Sequence, residues 1–206
     1  MLFDFATLPS QDRGRLLVST VVPRPIALVV TQDLQGRLNA APFSFFNVFS
    51  TDPPVVIIGV GGRAPGDLKD TGHNIRTTGE FVANLVSHDT LRQMNIAAID
   101  FPPDVDEIAE AGLSTLASVK VRPPRIAECP VALECRRMMM IDLAVNRTLV
   151  VGEVLAMHVR DSCVTGSARV DTPRLDLVGH MHGNWYARTG MLEEVARIPL
   201  NEWRRG

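Results

Sequence analysis

Two stretches of the chain hold side chains suited to binding chemistry. The first is Lys69-Asp70-Thr71, which opens a short helical pattern running to about Thr78. It brings a cation, a hydroxyl and helix-start amides together. A helix N-terminus attracts anions through its unpaired N–H groups and its dipole. Lys69 adds a point charge, and Arg63 in the preceding loop is placed to add another. Asp70 or Thr71 is the natural N-cap, and a capping Asp70 would turn its carboxylate to the helix amides. The same residues also fit a surface lysine beside an ordinary capped helix. The second stretch is Arg37–Pro54, RLNAAPFSFFNVFSTDPP. It starts as a strand and then breaks strand habits. Asn39, Ala40 and Ala41 are small, and Pro42 removes a backbone donor. Ser44 and Asn47 stand among Phe43, Phe45, Phe46 and Phe49. Small residues admit a flat object close to the backbone, and aromatics wall it in. That is the make-up of an apolar pocket with a few placed polar groups. An ordinary buried strand followed by a polar turn would read the same way.

Other chemistries find less support. His180 and His182 would share one face of a strand, yet no clear third metal ligand lies near them. His73 and His88 read as surface residues. No G-x-S-x-G elbow and no Ser/His or Cys/His pair stands out. Cys129, Cys135 and Cys163 are odd in number and lack C-x-x-C spacing, so three reduced, buried thiols are expected. Met138-Met139-Met140 reads as core or subunit interface.

Composition sets the frame. The 206 residues are 46% hydrophobic and 21% charged, as in ordinary globular proteins. A net charge of −2 leaves no electrostatic footprint for nucleic acid. No apolar run reaches the ~18 residues of a membrane span, and MLFDFATLPSQDR is not a secretory signal. A cytoplasmic location is the expectation, with a single domain over residues 1–206.

The elements that must position these stretches are short. Ser10–Thr20 reads as a helix or turn, and Val21–Pro25 as extended. Ile26–Thr31 and Leu38–Phe43 read as a hairpin turning through Gln32–Arg37, and Val55–Val60 as the third strand. Gly59–Leu68 reads as a glycine-rich loop. Glu80–Val86 is a strand, with a helix from Asp89 or Thr90 to about Ala98. A helical turn spans Asp106–Ala111. Val131–Leu143 and Thr148–Arg160 are long strands joined tightly at Ala144–Arg147. Hairpin succession with inserted helices predicts a β-barrel with α insertions, mainly β. Gly59-Val60-Gly61-Gly62-Arg63-Ala64 fits the G-x-G-x-x-G/A spacing of a dinucleotide fold. That fold needs a helix opening inside the motif, and Pro65-Gly66 intervenes before the helix near Lys69.

Taken together, PRPIALVVT (Pro23–Thr31), NAAPFSFFN (Asn39–Asn47), PPVVIIGV (Pro53–Val60), KDTGHNI (Lys69–Ile75) and EFVANLV (Glu80–Val86) resemble the flavin reductase-like family of FMN-binding split barrels, which includes flavoredoxins. The likeness covers about Pro23 to Arg188. It implies a six-stranded antiparallel split β-barrel, a homodimer and one FMN per subunit near the dimer interface. It also implies an oxidoreductase that moves electrons from NAD(P)H through FMN to a small acceptor or protein partner. A non-enzymatic electron carrier of the flavoredoxin type is the alternative. By resemblance, Asn39, Ala40, Ala41, Pro42, Ser44, Phe46 and Asn47 form the wall for the isoalloxazine ring and ribityl chain. Lys69, Asp70, Thr71 and Asn74 form the phosphate end, with Arg24 and Thr31 close by. Two departures stand out. Gly61 and Gly62 occupy positions where related chains often carry Ser or Thr. His180–Tyr186 replaces an R-x-G-G pattern on the substrate side.

Overall fold

The computed structural model describes residues 1–64, 67–102, 105–200 and 203. Pro65, Gly66 and Pro103, and the side chain of Arg63, lie outside the described residues. Helix α1 is Ser10–Thr20. Strands β1 (Ala27–Gln32), β2 (Leu38–Phe43), β3 (Phe46–Thr51) and β4 (Pro54–Ala64) follow. Helix α2 (Asp70–Thr78) leads to β5 (Glu80–Leu85). Two short helices, α3 (Leu91–Ile96) and α4 (Glu107–Glu110), precede the long hairpin of β6 (Val131–Ala144) and β7 (Arg147–Val159).

These strands form one antiparallel sheet in the order β2-β1-β5-β6-β7-β4-β3. The edge strands β2 and β3 follow one another in the chain, separated only by Ser44 and Phe45. The sheet must therefore curl until its two edges come to the same place. It is curled but not closed, because β2 and β3 do not pair. Seven strands lie on this path where six were expected. The extra one is β3, hidden in the sequence by the polar Ser44 and Asn47 beside its phenylalanines.

Strand β1 is apolar from Ala27 to Val30 because it is buried on both faces there. Ala27 and Val29 enter one cluster with Phe43, Ile58, Phe81 and Val150. Leu28 and Val30 enter a second with Ala40, Met94, Ile108 and Ile126, which α3 and α4 cover. The β1–β2 turn is tied by Asp33, whose Oδ1 accepts the amides of Gln35 and Arg37 at 2.9 and 2.8 Å. Helix α2 ends at Gly79 with φ +75°, a left-handed conformation that glycine adopts without a steric penalty.

Several boundaries moved for local reasons. The glycines of the Gly59–Ala64 motif remain in β4, and the helix starts only at Asp70, so no dinucleotide turn forms. The N-cap of α2 is Lys69, not Asp70 or Thr71, and no side chain caps it. The N-cap of α3 is Thr90, one of the two residues expected there, and the His88–Thr90 turn before it carries a Ser87–Thr90 capping box. Among the described residues, no helix is long and apolar enough to cross a membrane.

Candidate functional site

A cavity of about 600 Å³ opens beside the β2 edge. One wall is Asn39, Ala41, Pro42, Phe43, Ser44 and Phe45. Facing it are Gly59–Gly62 of β4 and the start of the β6–β7 hairpin return, Arg147–Leu149, with Leu143. Lys69, Asp70 and Thr71 close one end, together with Asp100 and Glu107. The volume falls in the range of small-molecule sites, about 300–1,000 Å³.

The edge strand explains the proline. The Ala40 amide points away from β1 and donates to Glu107 Oε2 at 3.1 Å. Alternation along an antiparallel strand puts the Pro42 nitrogen on the same outward side. Its missing N–H therefore removes no bond to β1. The two alanines divide their roles. Ala40 is fully buried against the cluster under α3 and α4, and Ala41 lines the cavity. Ala40 thus belongs to the core, and its amide is already engaged.

Thr31 and Asn39 are cross-strand partners on β1 and β2. Asn39 Nδ2 donates to Thr71 Oγ1 at 2.9 Å, and Asn74 Nδ2 donates to Thr31 Oγ1 at 3.0 Å. Thr71 and Asn74 are three apart on α2, hence on one face. The pair of bonds fixes the start of α2 against the hairpin. Asn39 and Thr71 line the cavity; Thr31 and Asn74 do not. They hold its end in place from behind.

Three other expected residues lie elsewhere. Arg24 is not at the α2 end: its guanidinium donates to the carbonyls of Val18 at 2.6 Å and Val21 at 3.1 Å, where it tops the C-terminal end of α1. Burial lowers its pKa. Phe46 turns into the core with Phe43 and Ile58. Asn47 is exposed on β3, and its Oδ1 accepts the Val48 amide.

Two walls of the cavity come from residues whose type and spacing do not mark them in the sequence. Arg147 sits beside Gly61: a methyl group there would come 3.1 Å from the guanidinium. The glycine that replaces a hydroxyl residue thus makes room for a cation from a different hairpin. Gly59 lets Phe45 approach closely, since a methyl group would lie 3.0 Å from Phe45 Cβ. The segment Ala97–Asp100 and Glu107 form the other such wall. Pro42 on an edge strand, next to a short acidic helical turn, was the available signal.

The electrostatics of the helix end are mixed. Lys69 Nζ lies 3.4 Å from Asp100 Oδ1, in an exposed ion pair. Burial raises the pKa of Glu107 more than the Ala40 amide lowers it, and Asp70 and Asp106 push it up further. Lys69 and Arg147 are the cations on the cavity wall among the described residues.

At the opposite corner Ser44 Oγ lies 3.2 Å from His180 Nδ1. His180 ends the strand Val178–His180, and His182 lies beyond it in the following turn. The two histidines therefore do not share a strand face. Among the described residues no cluster of three or more metal-ligating side chains occurs. The three cysteines are buried and unbridged, with burial pushing the Cys129 thiol up to about 12.

The curled, unclosed antiparallel sheet is of the split-barrel type. The chain matches the family described as "Flavin reductase like domain" over residues 18–174, and it belongs to that family. A Deinococcus radiodurans protein is 40% identical over 98% of this chain and 92% of its own. Nitrilotriacetate monooxygenase component B from Bacillus cereus superposes with a TM-score of 0.90 at 28% identity, over 95% of this chain and 98% of its own. The 2-nitrobenzoate 2-nitroreductase NbaA of Pseudomonas fluorescens gives 0.89 at 30% identity, over 97% of each chain.

Proposed function

We propose that this protein is an FMN-dependent oxidoreductase that takes electrons from NAD(P)H and passes them to a small acceptor or a protein partner. The observation that carries the reading is the cavity, which joins a small-residue edge strand to an uncapped helix start bearing Lys69. Its residues fit the group. Ala41 and Pro42 offer a flat wall, and Gly61 and Gly62 keep the opposite wall low. The N-cap of α2, Lys69, places a cation at the helix start and makes no side-chain cap there, which suits a phosphate.

A bound flavin supplies the hydride chemistry itself. The protein's part is position and electrostatics. Thr71 and Lys69 hold the phosphate end, and the Asn39–Thr71 bond fixes that end relative to β2. Arg147, at the glycine wall, offers a cation to an anionic ligand. Ser44 supplies a hydroxyl at the far end of the β2 wall.

We further propose a homodimer. Phe45, Val48, Phe49, Leu143 and Val145 are 57–72% exposed and surround the mouth and the hairpin tip, which suits contact with a second copy. A monomer in light scattering at micromolar concentration would contradict this. The activity is tested by recording the visible spectrum of the purified protein and adding NADH or NADPH without oxygen. Bleaching of the flavin bands is expected. A flavin that stays oxidised with both donors would refute the enzymatic reading and leave the electron carrier.

A further inference from the structure

We infer that His180 is a positioning residue for Ser44, holding the Ser44 hydroxyl so that its lone pairs face the cavity; this rests on the flavin reading above. The two residues are 136 apart in sequence and meet only because the C-terminal hairpin folds over the β2 end. The imidazole is fixed on several sides. Its Nε2 lies 3.0 Å from the Gly183 carbonyl oxygen, which can only accept. Nε2 therefore carries the hydrogen. In the neutral ring Nδ1 is then the acceptor, and the Ser44 O–H is the donor at 3.2 Å. The ring stacks on Tyr186, its cross-strand partner, with centroids 5.1 Å apart and planes 17° apart. On the other side the His180 strand pairs with Arg24, whose guanidinium is directed to α1.

With its one proton given to His180, Ser44 has only lone pairs left for the cavity. It is then suited to an N–H or O–H donor on the bound ligand and unsuited to an acceptor. Removing His180 frees the hydroxyl to rotate, and Ser44 loses this selectivity.

A double-mutant cycle with FMN as the probe tests this. His180→Phe keeps the stack on Tyr186 and loses both nitrogens. It should weaken FMN binding by roughly 2–10-fold, the worth of one neutral hydrogen bond, and shift the visible band of the bound flavin. His180→Gln can both accept and donate, and should restore affinity and spectrum. In a Ser44→Ala background, His180→Phe should have no further effect. A loss equal in both backgrounds would mean His180 only stabilises the hairpin, and no loss in either would mean it does nothing for the site; both overturn the inference. Imidazole ¹⁵N signals decide the pairing without any His180 variant. Nε2 should be protonated, and the Nδ1 signal should move in Ser44→Ala. A proton on Nδ1, or an unmoved Nδ1 signal, overturns the inference as well. If wild-type protein fails to bind FMN, the flavin reading falls, while the ¹⁵N signals still decide the Ser44–His180 bond.

Discussion

Glu134 and Glu107 both lose water on folding, and their surroundings answer in opposite ways. Glu134 is fully buried on β6. Its oxygens accept the amides of Val119 at 2.9 and 3.1 Å and Lys120 at 2.6 Å, and lie 2.6 Å from His158 Nε2. Burial pushes its pKa up, but these partners together hold it below the usual carboxylate range. Glu107 accepts the Ala40 amide and is also stabilised by its own backbone amide, and it has Asp70 and Asp106 as neighbours. Its pKa is raised, with burial as the largest cause. A carboxylate with a full set of donors is a structural clamp, here pinning the segment around Val119 to the sheet. A carboxylate with fewer donors and two carboxylate neighbours, on a cavity wall, is held closer to its neutral form.

The largest effect expected from this contrast is in stability. Glu134→Ala leaves the Val119 and Lys120 amides and His158 without their acceptor and should cost about 3 kcal/mol, read by urea melting. FMN affinity of the folded fraction should be unchanged. Because the Glu134 pKa is lowered by folding, its contribution is present above the ordinary glutamate range and lost as pH falls through the lowered value. Glu134→Gln should remove that acid-side loss. Melting of Glu134→Ala like wild type would break the comparison at this end.

At the cavity the effects should appear in binding. Lys69→Ala should weaken FMN by roughly 10–150-fold, the worth of a hydrogen bond to a charged group of about 1.5–3 kcal/mol. Stability should hardly change, because the Lys69–Asp100 pair is exposed. An unchanged dissociation constant at low salt would make Lys69 a solvated surface residue. Next comes the pair of alanines. Ala41→Val adds bulk to the cavity wall and should cut FMN affinity about ten-fold, or 1.4 kcal/mol. Ala40→Val adds it to the core and should cost about 1–3 kcal/mol of stability instead. Equal behaviour of the two in paired titrations and melts would remove the ring from this wall.

The smallest effect sharpens the contrast most. Glu107→Gln keeps an oxygen for the Ala40 amide and removes a negative charge from the phosphate end. It should tighten FMN a few-fold at neutral pH. Glu107 has a raised pKa, so the stability it lends is present below the ordinary glutamate range and lost as pH rises through the raised value. The Gln variant should show a flatter profile there. Weaker FMN binding by Glu107→Gln would mean that the carboxylate itself holds the ligand.

Much of the fold could be read from the chain, because its signals are local. The β1–β2 hairpin, α2 with its Gly79 stop, and the β6–β7 hairpin follow from apolar runs and turn residues. Strand β3 was not legible, since only Phe46 of its first four residues is buried and no alternation results. The cavity was half legible. Residues adjacent in sequence, such as Asn39–Ser44 and Lys69–Thr71, announce themselves by type. Arg147, Glu107 and His180 reach the cavity region only through sheet order and the return of the C-terminal hairpin, which no single stretch encodes. Arg24, expected from the family resemblance, and Phe46, whose type suited a pocket wall, show the reverse, since packing uses them elsewhere.

On the proposed function, one cavity binds FMN through a phosphate end at Lys69–Thr71. The direct test is a fluorescence titration of flavin-free protein with FMN and riboflavin side by side. FMN should bind at least about ten-fold more tightly, the lower bound of the charged hydrogen bond lost with the phosphate. Equal affinities for the two flavins would contradict it.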